Sequence, residues 1–351
     1  MVKPKSKQEN SASVIGAFLR SINVQLDANE ADRIAHFRPT AKAVVLLEKL
    51  CTGVGSPAVL VTAPYGSGKS LTATYGLHLL ENRKESSHIL AVLADRFSDV
   101  NQRFGEFAKK RARSKHHAVT IALQGYVGNI RQAMCDAYVV GASRHGVIGK
   151  IASKRIHDHL ATTCGVSETA LFLIALSQEF EFDQLLFVWD EFGRHLESLI
   201  VNGRPSELLD VQELAEVSAR SKKVPFRMCV LLHQGISSYA AAAPDNIRRE
   251  WQKIEERFER VDYIDDTKEL VRLLVELSET QQSINSDRPP PKQFVEHAKD
   301  LIAAGLFKEF RATELSDLLR RAYPLDGVAL FLLPRISARV AQNERTLFNF
   351  L

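Results

Sequence analysis

The sequence predicts an α/β protein in which a parallel sheet flanked by helices is followed by an all-helical segment. Short apolar runs rich in β-branched residues alternate with helical or polar sequence, which is typical of a parallel sheet with crossover helices. A glycine-rich loop follows the first of these runs. After Thr267 the strand-like runs stop, and helical periodicity continues towards the end of the 351 residues.

Five strands are expected in the first part of the chain. Each run is short, apolar and bounded by polar, glycine or proline residues. Gly55, Ser56 and Pro57, for example, lead into the first run as a turn would. The predicted strands are 58–62, 118–123, 185–189, 226–232 and 261–264.

Helices are expected between these strands, because apolar residues recur there at helical spacing. Thr40 is a suitable N-cap for the helix that precedes the first strand. The segment 88–98 favours a helix but is also compatible with a strand, since a short apolar run does not distinguish the two. The predicted helices are 13–20, 40–50, one that continues from residue 71, 88–98, 103–112 and several within 128–180.

The C-terminal part is predicted to be a separate helical unit. Its helical patterns are interrupted at Arg288–Pro291 and at Pro324. The predicted helices are 267–281, 293–304, 311–322 and 327–341. The chain would therefore divide into a tail and helical extension at 1–52, a sheet domain at 53–265 and a helical lid at 266–351.

Composition excludes several classes of protein. No stretch approaches the roughly 18 consecutive apolar residues of a membrane span. The formal net charge of +4 is too small for a protein that coats nucleic acid, although a local basic surface remains open. The four cysteines form no CxxC pair, so neither a zinc cluster nor a disulfide framework is indicated. We expect a cytoplasmic protein without membrane association.

The loop after the first strand has the spacing of a Walker A motif, with Ala63 at the position of the usual first glycine. Glycines let backbone N–H groups turn towards phosphate oxygens, and the following helix directs its positive end at them. Lys69 would reach the β- and γ-phosphates of ATP, and Ser70 would bind Mg²⁺. The residues expected to contact the nucleotide are Ala63, Pro64, Tyr65, Gly66, Ser67, Gly68, Lys69, Ser70 and Leu71.

The strand predicted at 185–189 leads into two adjacent carboxylates, Asp190 and Glu191. Asp190 would hold the Mg²⁺ shell, and Glu191 would polarise the attacking water as a general base. A strand that ends in Asp-Glu is weak evidence for a site by itself, because surface turns often contain the same two residues. Its position downstream of a phosphate loop, with a strand and helices between, makes the pair a candidate hydrolytic site.

Together these motifs resemble those of AAA+ family P-loop ATPases. The resemblance extends from about residue 40 to the end, and it implies a five-stranded parallel sheet followed by a helical lid. It also implies a polar residue that senses the γ-phosphate at the tip of the strand after Walker B. Gln234 is the candidate for that role, and a simple strand cap is the alternative.

The resemblance also implies arginines that act on the γ-phosphate. Arg257 or Arg260, before the last strand, would enter the site of a neighbouring subunit, which predicts a homo-oligomer. Alternatively, both arginines pair with Glu255, Glu256 and Glu259 on an exposed helix end. A second sensor would come from the lid, where the candidates are Arg320, Arg321, Arg335, Arg339 and Arg345.

Two further strings are similar to segments of large ATP-binding proteins of bacterial phage-defence operons, the BREX-like class among them. They are Asp190–Glu197 and Gln342–Phe348. This similarity implies that the chain is the N-terminal ATPase region of a longer protein, as the apolar ending Phe348–Leu351 also suggests. The partner would then be another defence-system protein or a protein that the ATPase remodels.

Three other features have both a functional and a purely structural interpretation. The basic segment Lys109–His117 would give modest, non-specific DNA contact, but the same sequence is compatible with a solvated helix end or with a protein contact. His157 and His159 would need a third ligand to hold a metal, and a solvated helix face is the alternative. His36 and Phe37 would flank the adenine, or else pack in the core or anchor the loop.

These observations leave two classes of function open. The first is an ATPase whose Mg²⁺-dependent hydrolysis drives conformational change in a larger assembly, in defence against foreign DNA. The alternative is a nucleotide-gated DNA-binding or scaffold ATPase of a transposition or replication loader type. The two candidate carboxylates favour hydrolysis. A small-molecule kinase fits the helical C-terminal part less well.

Overall fold

The computed structural model describes residues 22–64, 66–263, 267–281 and 290–340. The described residues form one compact unit at 22–263 and a second unit after it. The first unit contains a five-stranded sheet, and the described residues of the second are helical wherever they have regular structure. The predicted fold class is therefore confirmed. The helix predicted at 13–20 lies outside the described residues.

All pairings in the sheet are parallel, and the strand order is β2-β3-β4-β1-β5. Because parallel strands end at the same edge, the residues that follow β1, β3 and β4 are brought together there. The strands are β1 (Ala58–Thr62), β2 (Val119–Gln124), β3 (Leu185–Asp190), β4 (Phe226–Leu232) and β5 (Glu259–Asp262).

Both faces of the sheet are covered by hydrophobic side chains. Along β3, Phe187 and Trp189 belong to one hydrophobic cluster, and Leu186 and Val188 belong to another. Strands that are buried on both faces are apolar at every position instead of at alternate positions. This is why the sequence shows continuous apolar runs.

The last strand begins two residues earlier than predicted, at Glu259 instead of Val261. β5 lies at the edge of the sheet, and only Val261 among its four residues is buried. An edge strand keeps polar side chains in water, so it lacks the apolar run by which the other strands are recognised. As a result, Arg260 lies within β5 and not before it.

Helices surround the sheet, and the ambiguous segment at 88–98 is helical. The Thr40 hydroxyl accepts a hydrogen bond from Ala43 N at 3.3 Å, which confirms the predicted N-cap. The helices are α1 (Val24–Asp27), α2 (Ala41–Cys51), α3 (Lys69–Glu81), α4 (Ser87–Val100), α5 (Gln102–Ala112), α6 (Ile130–Ser143), α7 (Val147–Leu160), α8 (Val166–Glu179), α9 (Phe192–Val201), α10 (Leu208–Arg220), α11 (Ile236–Tyr239) and α12 (Asp245–Glu255); short 3₁₀ turns lie at Ala31–Ile34, Lys84–Ser86 and Pro205–Glu207.

The second unit has a hydrophobic core of its own, which includes Leu274, Phe294, Leu315 and Leu330. Its helices are α13 (Thr267–Gln281), α14 (Pro291–Ala303), α15 (Ala312–Ala322) and α16 (Gly327–Val340). Helix α2 packs in the same cluster as β1, so no change of core marks the predicted boundary at residue 53. The predicted division into extension, ATPase domain and lid remains a prediction. Among the described residues, no helix combines the length and apolar composition that a membrane crossing requires.

A buried ion network ties the end of α3 to β2 and α6. Glu81 is fully buried, and its carboxylate accepts hydrogen bonds from the Arg144 guanidinium, the closest at 2.6 Å, and from the Thr120 hydroxyl. Arg83 Nε lies 3.2 Å from Glu81 Oε2. Burial alone would raise the pKa of Glu81, but the two arginines and these hydrogen bonds outweigh it and lower the pKa. The end of the helix that begins at the glycine loop is thereby fixed.

We predict that Glu81→Gln lowers the free energy of unfolding by about 3–5 kcal/mol, because Arg144 would stay buried without its counter-charge. Urea unfolding at neutral pH measures this. Glu179→Gln is the control, since it breaks an exposed pair with Arg155 and should cost at most about 1 kcal/mol. Equal losses in the two variants would contradict the prediction.

The same network predicts a pH dependence. The pKa of Glu81 is lower in the folded chain than its ordinary value of 4.5, so its stabilisation is complete above that value. It is lost as the pH falls through the folded pKa. The difference in stability between wild type and Glu81→Gln should therefore shrink in acid.

Candidate functional site

The loop between β1 and α3 turns on two glycines. Gly66 has a φ of +70° and Gly68 has a φ of +87°, in the left-handed region that glycine adopts without strain. Nothing lies within 4 Å of the place that a Cβ would take at either residue, so the backbone conformation, not a close neighbour, requires glycine. Gly68 is also the N-cap of α3, which begins at Lys69. Tyr65 lies outside the described residues.

Lys69 is folded into the site and is only 5% exposed. Its Nζ lies 3.5 Å from Pro64 O and 3.3 Å from His233 Nδ1. Burial lowers the pKa of Lys69, while the nearby carboxylates of Asp190 and Glu191 act in the opposite direction. The structure therefore brings Lys69 near Asp190 and Glu191, all three of which the sequence indicates as candidate site residues.

Asp190 ends β3 and is 1% exposed. Its Oδ1 accepts a hydrogen bond from Glu191 N at 2.8 Å, whereas its buried Oδ2 has no partner of hydrogen-bonding geometry in the described chain. Burial raises the pKa of Asp190, and the Ser70 hydroxyl and Lys69 lie near enough to oppose that shift. Mg²⁺ takes one or two carboxylates and leaves its other positions to water and phosphate. Ser70 and Asp190 fit such an ion.

Glu191 differs from its neighbour in both backbone and environment. Its φ of +49° is left-handed, which costs a non-glycine residue roughly 1–3 kcal/mol and is common at functional sites. The Glu191 side chain is 27% exposed, and its Oε2 lies 3.1 Å from Arg194 Nε. One carboxylate of the pair is therefore shielded from water and the other is accessible to it.

After β4, His233 and not the predicted Gln234 contacts Lys69. The register pairs Thr62 with Leu232, so the next residue lies beside Ala63, where His233 Nδ1 is 3.3 Å from the Ala63 carbonyl. Gln234 is exposed, and no side-chain hydrogen bond of it is present in the described chain. The sequence shows where β4 ends but not its register against β1, which is why His233 was missed. A sensing role for either residue remains a proposal.

Near β5, Arg257 and Arg260 are both more than half exposed. Arg257 Nη2 lies 4.0 Å from Glu216 Oε1. Arg260 Nε lies 2.9 Å from Asp262 Oδ1, and its Nη1 lies 3.9 Å from Glu255 Oε1. Both arginines thus pair with carboxylates of the same chain, but only the contact of Arg260 with Glu255 is one that the alternative interpretation named. Their action on a neighbouring subunit stays a prediction.

The basic segment is partly neutralised within the chain. Lys109 pairs with Asp95 at 2.8 Å, and Arg111 pairs with Asp183 in a largely buried contact. No group of three or more metal-binding side chains is found among the described residues, so His157 and His159 gain no third ligand there. DNA contact remains a prediction.

The remaining candidates have local contacts. Phe37 is buried, and its ring centroid lies 5.4 Å from that of Tyr75, which favours the core-packing alternative. In the second unit, Arg320 and Arg321 pair with Asp317, and the Arg335 guanidinium lies 3.4 Å from the centroid of the Phe331 ring. The side chain of Arg339 and all of Arg345 lie outside the described parts of the chain.

No model of a known protein family matches the chain, and no curated protein matches it. Among solved structures, the chain is similar to the ORC2 protein of Aeropyrum pernix in ADPNP-ADP complexes, with a TM-score of 0.34 and 16% identity over 88% of this chain and 65% of that one. The chain is also similar to the ADP form of that protein, with a TM-score of 0.34 and 14% identity over 88% of this chain and 66% of that one. The chain thus spans slightly less than two thirds of ORC2.

We predict that the imidazole of His233 stays neutral until the pH falls to about 4, because burial and the charge of Lys69 lower its pKa. Lys69→Ala should raise that pKa by removing the positive charge. Titration of the histidine ring protons by NMR measures both. The pKa of His78, which burial lowers to about 4 without help from Lys69, should not move in the variant. A shift at both histidines, or at neither, would contradict the prediction.

Proposed function

We propose that this protein binds ATP with Mg²⁺ and hydrolyses it. The observation that carries the proposal is the convergence of four groups at one edge of the parallel sheet. They are the glycine loop, the buried ammonium of Lys69, the buried Asp190 with an unpartnered oxygen, and the water-accessible carboxylate of Glu191. Ligands of open α/β sheets bind at the carboxyl ends of the strands, where these groups lie.

Several donor and cationic groups of the chain would bind the phosphates of ATP. Backbone amides of the loop, at the N-terminal end of α3, and the Lys69 ammonium would bind the phosphate oxygens. Ser67 Oγ is a further buried polar atom of the loop that has no hydrogen-bond partner in the described chain. Mg²⁺, held by Ser70 and Asp190, would neutralise phosphate charge when bound. The site thus offers a polyanion several cationic or donor groups.

Hydrolysis requires a base that water can reach. Glu191 would accept a proton from water as the water oxygen bonds to the γ-phosphorus, while the bond from that phosphorus to the oxygen of ADP breaks. The products are ADP and inorganic phosphate. Asp190 is unsuited to this role, because it is buried and is the candidate ligand of the metal ion. The different exposure of the two carboxylates thus supports their different roles.

The wider role rests on resemblance and not on geometry. We propose that turnover drives conformational change in a larger assembly that contains several copies of the chain. A role in defence against foreign DNA rests on the two short segments that are similar to phage-defence proteins. The alternative of a DNA-binding loader would be favoured if ATP bound without turnover.

We predict that Lys69→Ala weakens ATP binding by roughly ten- to a hundredfold, because it removes charge-assisted hydrogen bonds to the phosphates. Isothermal titration with ATP and Mg²⁺ measures the change. Lys110→Ala, which removes an exposed lysine of α5, is the matched control and should bind ATP as wild type does. Unchanged affinity in Lys69→Ala would exclude the loop as the phosphate site.

We predict that Glu191→Gln leaves ATP binding nearly intact and lowers turnover by roughly 10²–10⁴-fold, because the amide keeps the size of the side chain and cannot act as a base. Release of inorganic phosphate under saturating ATP measures this. The control is Glu197→Gln, an exposed glutamate of α9. Wild-type turnover in Glu191→Gln would show that another group is the base.

A further inference from the structure

Lys42, on α2, contacts the glycine loop outside the motif that the sequence predicted. Its Nζ donates a hydrogen bond to the Ser67 carbonyl at 2.8 Å and lies 4.4 Å from the centroid of the Tyr263 ring. The helix that carries Lys42 is anchored by buried residues, among them Leu46, Leu47 and Leu50. The ammonium therefore joins a fixed helix to the loop and to the residue that follows β5.

The contact at Ser67 fixes the direction of an amide. The carbonyl of Ser67 and the N–H of Gly68 belong to one trans peptide plane and point in opposite directions. An ammonium that holds this carbonyl towards α2 therefore turns the Gly68 N–H away from α2. Gly68, at a φ of +87°, is a residue whose backbone has little rotational preference of its own. Loop amides of this kind are what a glycine-rich loop offers to phosphate.

Tyr263 supports both ends of the same loop. Its N donates to the carbonyl of Thr62, the last residue of β1, at 2.8 Å. Its hydroxyl is hydrogen-bonded to Thr72, in the first turn of α3, at 2.7 Å. Tyr263 and Thr72 are buried. The ring on which Lys42 rests is therefore itself tied to the residues before and after the loop.

We propose that Lys42 and Tyr263 are positioning residues that set the phosphate-binding conformation of the loop. The proposal rests on the proposed binding of ATP at this loop. The geometry that supports it is the hydrogen bond from Lys42 to the Ser67 carbonyl, together with the bonds of Tyr263 to Thr62 and Thr72 on either side of the loop.

The test is the affinity of the full chain for ATP with Mg²⁺. Lys42→Met keeps an unbranched stem and removes the donor, and it should weaken ATP binding about tenfold or more. Lys42→Arg keeps the charge, the donors and the stacking on Tyr263, and it should bind within about threefold of wild type. Lys49→Met is the matched control, because it removes an ion pair to Glu259 from the same helix without a contact to the loop. Its ATP affinity should equal that of wild type.

A mutant cycle separates positioning from general stability. Tyr263→Leu should also weaken ATP binding. The double variant with Lys42→Met should lose clearly less ATP affinity than the product of the fold-losses of the two single variants, since both substitutions act through one contact. Thermal unfolding without nucleotide identifies any variant that fails to fold. A folded Lys42→Met that binds ATP as Lys49→Met does, or a double variant whose losses multiply fully, would overturn the proposal.

The outcomes also separate this proposal from the proposed function. If wild type binds ATP, Lys69→Ala loses binding and Lys42→Met does not, only the positioning role fails. If wild type does not bind ATP, or binds it as Lys69→Ala does, the phosphate site fails and the positioning role fails with it.

Discussion

Parallel hydrogen bonding among β3, β4 and β1 is the constraint on which the candidate site depends. The register places Trp189 beside Val230 and Thr62 beside Leu232, so the three strands end at one edge. At this edge β1 contributes the glycine loop that follows it, β3 contributes its last residue Asp190 with the following Glu191, and β4 contributes the following His233. A slip of one residue would turn every side chain of a strand to the opposite face. Since both faces are packed with large apolar side chains, the core fixes the register, and the register fixes the positions of the site residues.

The site combines groups that are unfavourable without a ligand. Lys69 and Asp190 are almost fully buried, and burial shifts the pKa of each towards its neutral form. Their mutual attraction opposes that shift, but one oxygen of Asp190 remains unpartnered. A bound cation would give that oxygen a partner, and a nucleotide that binds only the folded chain would stabilise the fold by mass action.

Local sequence predicts those parts of the structure that depend on local composition. The central strands are apolar because both faces are buried, and the loop glycines are required by their own backbone angles, so each is visible in a short window. What depends on register or on long-range contacts is not visible there. His233 lies beside Lys69 only because β4 pairs with β1, and β5 is polar because it is an edge strand. The partners of Lys42 come from a loop and from a strand end far along the chain.

The contacts of the loop identify the residues through which the rest of the chain holds it. Thr62 and Thr72 are each bonded to Tyr263, and Ser67 is bonded to Lys42, whereas the space beside Gly66 and Gly68 is open. A loop that is held at its base and on one carbonyl loses little conformational entropy when an anion binds, because most of that entropy is already lost on folding. Preorganisation of this kind makes the phosphate affinity depend on residues that need not touch the phosphate. The glycine motif alone is therefore an incomplete description of the site, since its geometry is set by a lysine and a tyrosine outside it.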